Sequence, residues 1–196
     1  YKVKSEELDK VLQIFIRVNS GGTVLSYSDL LLSIATAQWE SLDARKEITE
    51  FVDYINTIGS GFNVNKDFIL KASLVLTGFS DIAFKVDNFN KQNMLKIEQN
   101  WQTIKTSITQ AFLLVSSFGF SRDSLKSNNA VIPIAYYLMT IGNPGNFEVS
   151  SNTVNNRKKI KKWLTMSLIK RTFGGQADSI LRPLREVIKA NGNNEF

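Results

Sequence analysis

The longest regular stretch of the sequence runs from Asn90 to Ser117 and reads NKQNMLKIEQNWQTIKTSITQAFLLVSS. Seven of its large apolar residues recur in steps of three and four, the spacing of one face of an α-helix. They are Met94, Ile97, Trp101, Ile104, Ile108, Phe112 and Val115. Asn90 suits a helix N-cap and Gly119 breaks helices, so the pattern predicts one long helix between them.

Helical periodicity also dominates the sequence on both sides of this stretch. It predicts helices over residues 5–18, 30–39, 43–58, 66–76, 129–140, 155–173 and 178–190. The expected caps are Asp43 or Ser41, Asn65, Asn128 or Asn129, and Asp178 at helix starts, and Gly174 at the end of 155–173. No alternating segment is long enough to require a strand. The sequence therefore predicts an all-α fold, a multi-helix bundle of about eight helices in irregular orthogonal packing with little or no β structure.

Composition favours one globular domain over residues 1–196 of this 196-residue chain. The chain contains no cysteine and no histidine, which excludes disulfides, thiolate zinc sites and imidazole bases within it. No apolar run approaches the roughly 18 residues that span a bilayer. Together these features favour a cytoplasmic protein without a membrane partner.

The positive charge is concentrated in a basic helical subregion over residues 150–196. Residues 151–196 contain ten lysines and arginines and three acidic residues, although the whole chain carries only +6. The predicted helix 155–173 holds most of these cations, with Ile160, Trp163 and Leu164 on its inward stripe. The candidate nucleic-acid-binding residues are Arg157, Lys158, Lys161, Lys162, Lys170 and Arg171, with Arg182 and Arg185 adding charge to the same end. Such a surface would bind nucleic acid without sequence preference; the alternative is a solvated lysine face.

A polar turn separates the first two predicted helices and offers a second candidate site. An arginine precedes two adjacent glycines and several short polar side chains, a combination suited to a phosphate group. The candidate phosphate-binding residues are Arg17, Asn19, Gly21, Gly22 and Thr23. The alternative is a tight interhelical turn in which Arg17 is a surface residue.

Several motifs in the chain resemble those of GmrSD-type restriction proteins, in the later part of their N-terminal domain. Residues 15–26 (FIRVNSGGTVLS) resemble the family signature iF-x-R-x-N-x-G-G-x-x-L-s, and Asp29-Leu30-Leu31-Leu32 resembles the helix that follows it. Residues 127–138 (SNNAVIPIAYYL) resemble its NA-x-I-P-x-x-Y-x-L helix. Residues 173–178 (FGGQAD) resemble a late F-x-G-x-x-D turn.

The resemblance implies a larger machine of which this chain is the helical C-terminal portion of one domain. Family members carry an upstream Asp-Gly-Gln-Gln-Arg motif on a ParB- and sulfiredoxin-like fold, thought to handle a nucleoside triphosphate, and many carry a His-Asn-His nuclease. Neither motif occurs in this sequence. The resemblance also implies that Arg17 and Asn19 border the nucleotide pocket of the intact domain.

The expected function follows from this resemblance: a helical portion of a bacterial anti-phage restriction protein that supports a nucleotide pocket and contacts DNA. This portion would be non-catalytic and hold no cofactor, whereas the intact protein would be an NTP-dependent restriction endonuclease subunit using Mg²⁺. Its partners would be the missing N-terminal part of its domain, DNA and, as an open alternative, further copies of itself. The competing hypotheses are a sequence-independent nucleic-acid-binding module and a protein-interaction scaffold.

Overall fold

The computed structural model describes residues 27–175, 177–192 and 194–196, which form eight α-helices and no strand. This confirms the all-α prediction for the described part of the chain. The predicted helix 5–18 lies outside it. The helices are α1 (Tyr27–Thr36), α2 (Ala44–Thr57), α3 (Lys66–Leu76), α4 (Lys91–Gln99), α5 (Trp101–Ser117), α6 (Ile132–Thr140), α7 (Val154–Ile169) and α8 (Ala177–Asn191). Short 3₁₀ helices lie at Val86–Phe89, Asn128–Val131 and Ser151–Thr153.

The helix α6 lies at the centre of the core, where it packs against α5, α8 and α3. Its sequence is apolar on every side, which is typical of a helix surrounded by others. Ile132, Ile134 and Leu138 have no exposed surface. The seven apolar residues that define the predicted face of the 90–117 stretch are also buried, so that face covers the core as predicted.

The predicted single helix from Asn90 to Ser117 is wrong in one respect, because it divides into α4 and α5 at Asn100. The Asn100 backbone leaves helical geometry (φ −98°, ψ 5°). Its Nδ2 donates a hydrogen bond to the Lys96 carbonyl (2.8 Å), which also accepts the Asn100 backbone N–H (3.2 Å). The apolar spacing is unchanged across the break, so periodicity alone predicts one continuous helix.

Three predicted N-caps are confirmed by their geometry. Side-chain oxygens of Asp43, Asn65 and Asn90 each accept a hydrogen bond at 3.0 Å from the backbone N–H three residues later. Each bond satisfies a donor that the first helical turn leaves without a partner.

The other predicted boundaries need correction. Neither Asn128 nor Asn129 caps α6; Asn128 instead donates its Nδ2–H to the Asn63 carbonyl (2.7 Å) and joins the 3₁₀ helix Asn128–Val131 to the loop before α3. Asp178 lies inside the first turn of α8 rather than before it. The second predicted helix ends at Thr36, not at residue 39. Gly174 does not end α7, which stops at Ile169, with Arg171 in the left-handed conformation (φ 51°).

One carboxylate joins α4 to the loop between α1 and α2. Glu98 accepts backbone N–H bonds from Ser41 (2.6 Å) and Leu42 (2.8 Å), and both its oxygens accept from Glu40 N–H (3.1 and 3.0 Å). Partial burial opposes ionisation, but the bonds from Glu40, Leu42 and Ser41 outweigh it and hold the pKa of Glu98 below its ordinary value.

We predict that Glu98→Gln lowers the free energy of unfolding by about 1 kcal/mol at pH 7, because charged acceptors make the stronger bonds. A carboxyl group with a depressed pKa stabilises the fold at pH values above its unfolded-state pKa, about 4.3. The stabilisation is lost as pH falls through the folded-state pKa. Urea titrations at a series of pH values from 7 downward should therefore show the difference shrink once pH falls below the unfolded-state pKa. Glu50→Gln, at an exposed position, is the control, and a deficit independent of pH would contradict the prediction.

Candidate nucleic-acid interface

The structure describes only one of the two candidate sites. Arg17, Asn19, Gly21, Gly22 and Thr23 lie outside the described residues. The basic helix is described in full as α7, so its side chains can be placed.

The helix α7 is held against the core by the predicted inward stripe. Ile160 and Leu164 have no exposed surface, and Ser167 is also buried. Trp163 packs edge-on against Phe173 (6.2 Å between ring centroids) and Phe196 (5.2 Å). These contacts determine which side of α7 faces outward.

The outward side carries the α7 basic surface, which consists of Arg157, Lys158, Lys161 and Lys162. The three lysines are exposed, whereas Arg157 is half-buried and donates from Nη1 to the Phe147 carbonyl (3.4 Å). In the described part of the chain no carboxylate lies within 4 Å of these four cations. The neighbouring Lys159 differs, because its Nζ lies 2.7 Å from Glu195.

Three of these cations line a groove of about 300 Å³ between α7 and the end of α5. The groove is formed by Ser117, Phe118, Glu148, Val154, Arg157, Lys158 and Lys161. The Lys161 ammonium lies 5.8 Å from the centre of the Phe118 ring, within cation–π range. Three cations against the single acid Glu148 leave the groove positive, so it suits a phosphate group.

The other basic residues of this region divide into exposed and buried groups. Lys170, Arg171 and Arg182 are exposed. Arg185, expected to add to the basic end, is only 5% exposed. Its guanidinium donates to the Phe79 carbonyl and pairs with Glu186 (3.2 Å). Arg185 therefore holds α8 in place and does not add to the exposed basic surface.

Arg171 ends α7 with the hydrogen bonds of a Schellman motif. Its N–H donates to the Leu168 carbonyl (3.1 Å), and Thr172 N–H donates to Ser167 (3.0 Å). Glycine is the usual residue at this left-handed position because it lacks a Cβ. An arginine at this position lowers the stability of the backbone conformation relative to glycine, and it places an exposed cation beside Lys170.

A second polar cluster, which sequence reasoning missed, surrounds Lys71 on α3. Its Nζ lies 2.9 Å from Asp178 Oδ1, and Asp178 Oδ2 accepts the Phe84 N–H (3.2 Å). A pocket of about 300 Å³ opens here, lined by Asn65, Asp67, Phe68, Lys71, Phe84, Asn128 and Asn129. Asp29 lies 3.2 Å from Lys66, at the start of the same helix. Three separate motif segments, which contain Asp29, residues 128–129 and Asp178, therefore meet around α3.

One acidic side chain of α2 has two hydrogen-bond donors from α5. Among the described residues, no three carboxylates are grouped so that they could hold a metal ion. Glu47, on α2, accepts hydrogen bonds from Lys105 Nζ (2.8 Å) and Trp101 Nε1 (2.6 Å). These two bonds hold the pKa of the Glu47 carboxyl below its ordinary value.

No model of a known protein family matches the chain, and no curated protein matches it significantly.

None of the helices in the described ranges is long and apolar enough to cross a membrane.

We predict that Arg171→Gly raises the free energy of unfolding by about 0.5–1 kcal/mol, because glycine adopts φ 51° without Cβ strain. Lys170→Gly is the matched control, since it removes the same charge from a right-handed position (φ −74°). It should destabilise by a similar amount, because glycine there only adds unfolded-state entropy. Chemical denaturation measures both, and a destabilising Arg171→Gly would contradict the prediction.

Proposed function

We propose that this chain is a helical portion of a GmrSD-like restriction protein and that the α7 basic surface binds nucleic acid. The motif resemblances support the first part. The second part is supported by one observation: Arg157, Lys158, Lys161 and Lys162 face outward along one helix without a carboxylate partner among the described residues. A lysine face that serves only solubility is normally interspersed with acids, and α7 contains none.

Binding of this kind depends mainly on the release of counterions from the phosphate backbone. Each neutralised phosphate contributes about −0.9 to the slope of log affinity against log salt concentration. Four contacts give a slope of about −3.6, so raising salt from about 50 to 200 mM weakens binding ~100-fold. These contacts set orientation on the nucleic acid and carry no sequence information.

We predict that the triple variant Lys158→Ala, Lys161→Ala, Lys162→Ala loses ~100-fold or more in duplex DNA affinity at about 50 mM salt and flattens the salt slope by about 2.7. Fluorescence anisotropy of a labelled duplex at several salt concentrations measures both quantities.

The control is a second triple variant, Lys46→Ala, Lys85→Ala, Lys126→Ala, in which three exposed lysines outside α7 are replaced. It has the same net charge, so retained binding would assign the effect to α7 rather than to overall charge. Absence of binding by the unmodified protein at about 50 mM salt, or equal losses in both variants, would contradict the proposal.

A second candidate function is support of a nucleotide pocket in the intact domain. It is favoured by the meeting of three motif-like segments around Lys71 and its polar pocket. In this proposal the phosphates contact Arg17, Asn19, Gly21, Gly22 and Thr23, with Mg²⁺ as counterion, and the upstream part of the domain completes the site. The intact protein would be an NTP-dependent endonuclease subunit, with this portion non-catalytic.

We predict that a protein extended upstream to include the Asp-Gly-Gln-Gln-Arg motif binds a fluorescent ATP or GTP analogue, and that Arg17→Ala weakens binding at least tenfold. A charge-assisted hydrogen bond from arginine to phosphate contributes about 1.5–3 kcal/mol, which corresponds to a loss of affinity of this magnitude. Arg45→Ala, on α2, is the charge-matched control. Unchanged affinity of Arg17→Ala would exclude Arg17 from the pocket.

A further inference from the structure

The exposed side of α7 changes character along its length. Lys158, Lys162, Met166 and Ile169 follow one another in steps of four, four and three, so they form a single row, the α7 ridge. Met166 is 45% exposed and Ile169 is 70% exposed. The ridge therefore begins with cations of the basic surface and ends with two large apolar side chains in water.

The apolar end of the ridge is flanked by charge on both sides. Ile169 has the largest exposed fraction of any large hydrophobic residue that the structure describes. Lys162 precedes this end by one helical turn, and the exposed Lys170 and Arg171 follow it directly. A single exposed apolar residue needs no explanation, but two adjacent ones within a row of cations suggest a contact surface.

We infer that the α7 ridge enters the major groove of duplex DNA and that Met166 and Ile169 contact thymine methyl groups. This inference rests on the proposed nucleic-acid binding. The ridge adds a geometric argument: it is one face of an α-helix, and the major groove, about 12 Å wide, admits an α-helix. The lysines meet phosphates, and the apolar end meets the 5-methyl group that thymine presents in that groove.

The dimensions of the ridge agree with this placement. From Lys158 to Ile169 the helix rises about 16 Å, at 1.5 Å per residue. This length corresponds to about five base pairs at 3.4 Å each. The ridge thus combines salt-sensitive binding by its lysines with a salt-insensitive preference for thymine-containing duplexes.

The test compares two duplexes of identical sequence, one with thymine and one with uracil in its place, which removes only the methyl groups. The unmodified protein should bind the thymine duplex at least threefold more tightly at every salt concentration. The double variant Met166→Ser, Ile169→Ser should bind both duplexes equally and keep the unmodified salt slope. Val187→Ser, which changes a 65% exposed apolar residue on α8, should keep the thymine preference.

Each alternative result has a defined meaning. Equal binding of the two duplexes by the unmodified protein, or a preference that survives in the double variant, overturns the thymine contact and leaves the proposed function standing. No binding to either duplex overturns both. Tighter binding to anionic phospholipid vesicles than to DNA, lost on Ile169→Ser, assigns the ridge to lipid and overturns the inference. Because both side chains are exposed, the melting temperature of the double variant should change by no more than about 2 °C, which excludes misfolding as the cause.

Discussion

The burial of α6 is the constraint on which the positions of the other helices depend. A helix that is apolar on every side must be covered on every side, and α5, α3 and α8 provide that cover. Phe112 on α5 holds two of these neighbours together, because its ring meets Phe68 on α3 (5.5 Å) and Phe62 in the preceding loop (4.8 Å) edge-on. Such contacts bury large aromatic surfaces in one geometry, and this orders the helices around α6.

A buried polar contact with α6 acts together with the apolar stripe to orient the α7 basic surface. Asn156, in the first turns of α7, donates to the Tyr137 hydroxyl, and its own Oδ1 accepts the N–H of Phe196 (2.9 Å). Burial raises the pKa of the Tyr137 hydroxyl, which stays protonated and donates to the Asn194 carbonyl (3.1 Å). Because these groups satisfy one another only in one rotation of α7, the polar network and the apolar stripe together direct its lysines outward.

Much of this fold could be predicted from local patterns. The apolar spacing of residues 94–115, the caps Asp43, Asn65 and Asn90, and the inward stripe of α7 all depend on neighbours three or four residues away, which periodicity reports directly. Three of the errors have a common cause. Each involves a polar side chain whose partner the local pattern does not report. At Asn100 the side chain competes with the backbone for the Lys96 carbonyl. Asn128 and Asp178 instead bind Asn63 and Lys71, which lie in distant segments of the chain.

The sequence by itself determined that the described chain is helical, where its buried faces lie and that its positive charge gathers after residue 150, because these are properties of spacing and composition. Only the tertiary structure decided which cations are free. It buried the side chain of Arg185 on α8, where the guanidinium donates to the Phe79 carbonyl, and it paired Lys159 with Glu195. It left Lys158, Lys161 and Lys162 exposed on α7, the first two of them beside the groove at Phe118. The physical reason is that the partner of a charged side chain depends on which helices meet, and that is set by packing around α6 rather than by neighbours along the chain.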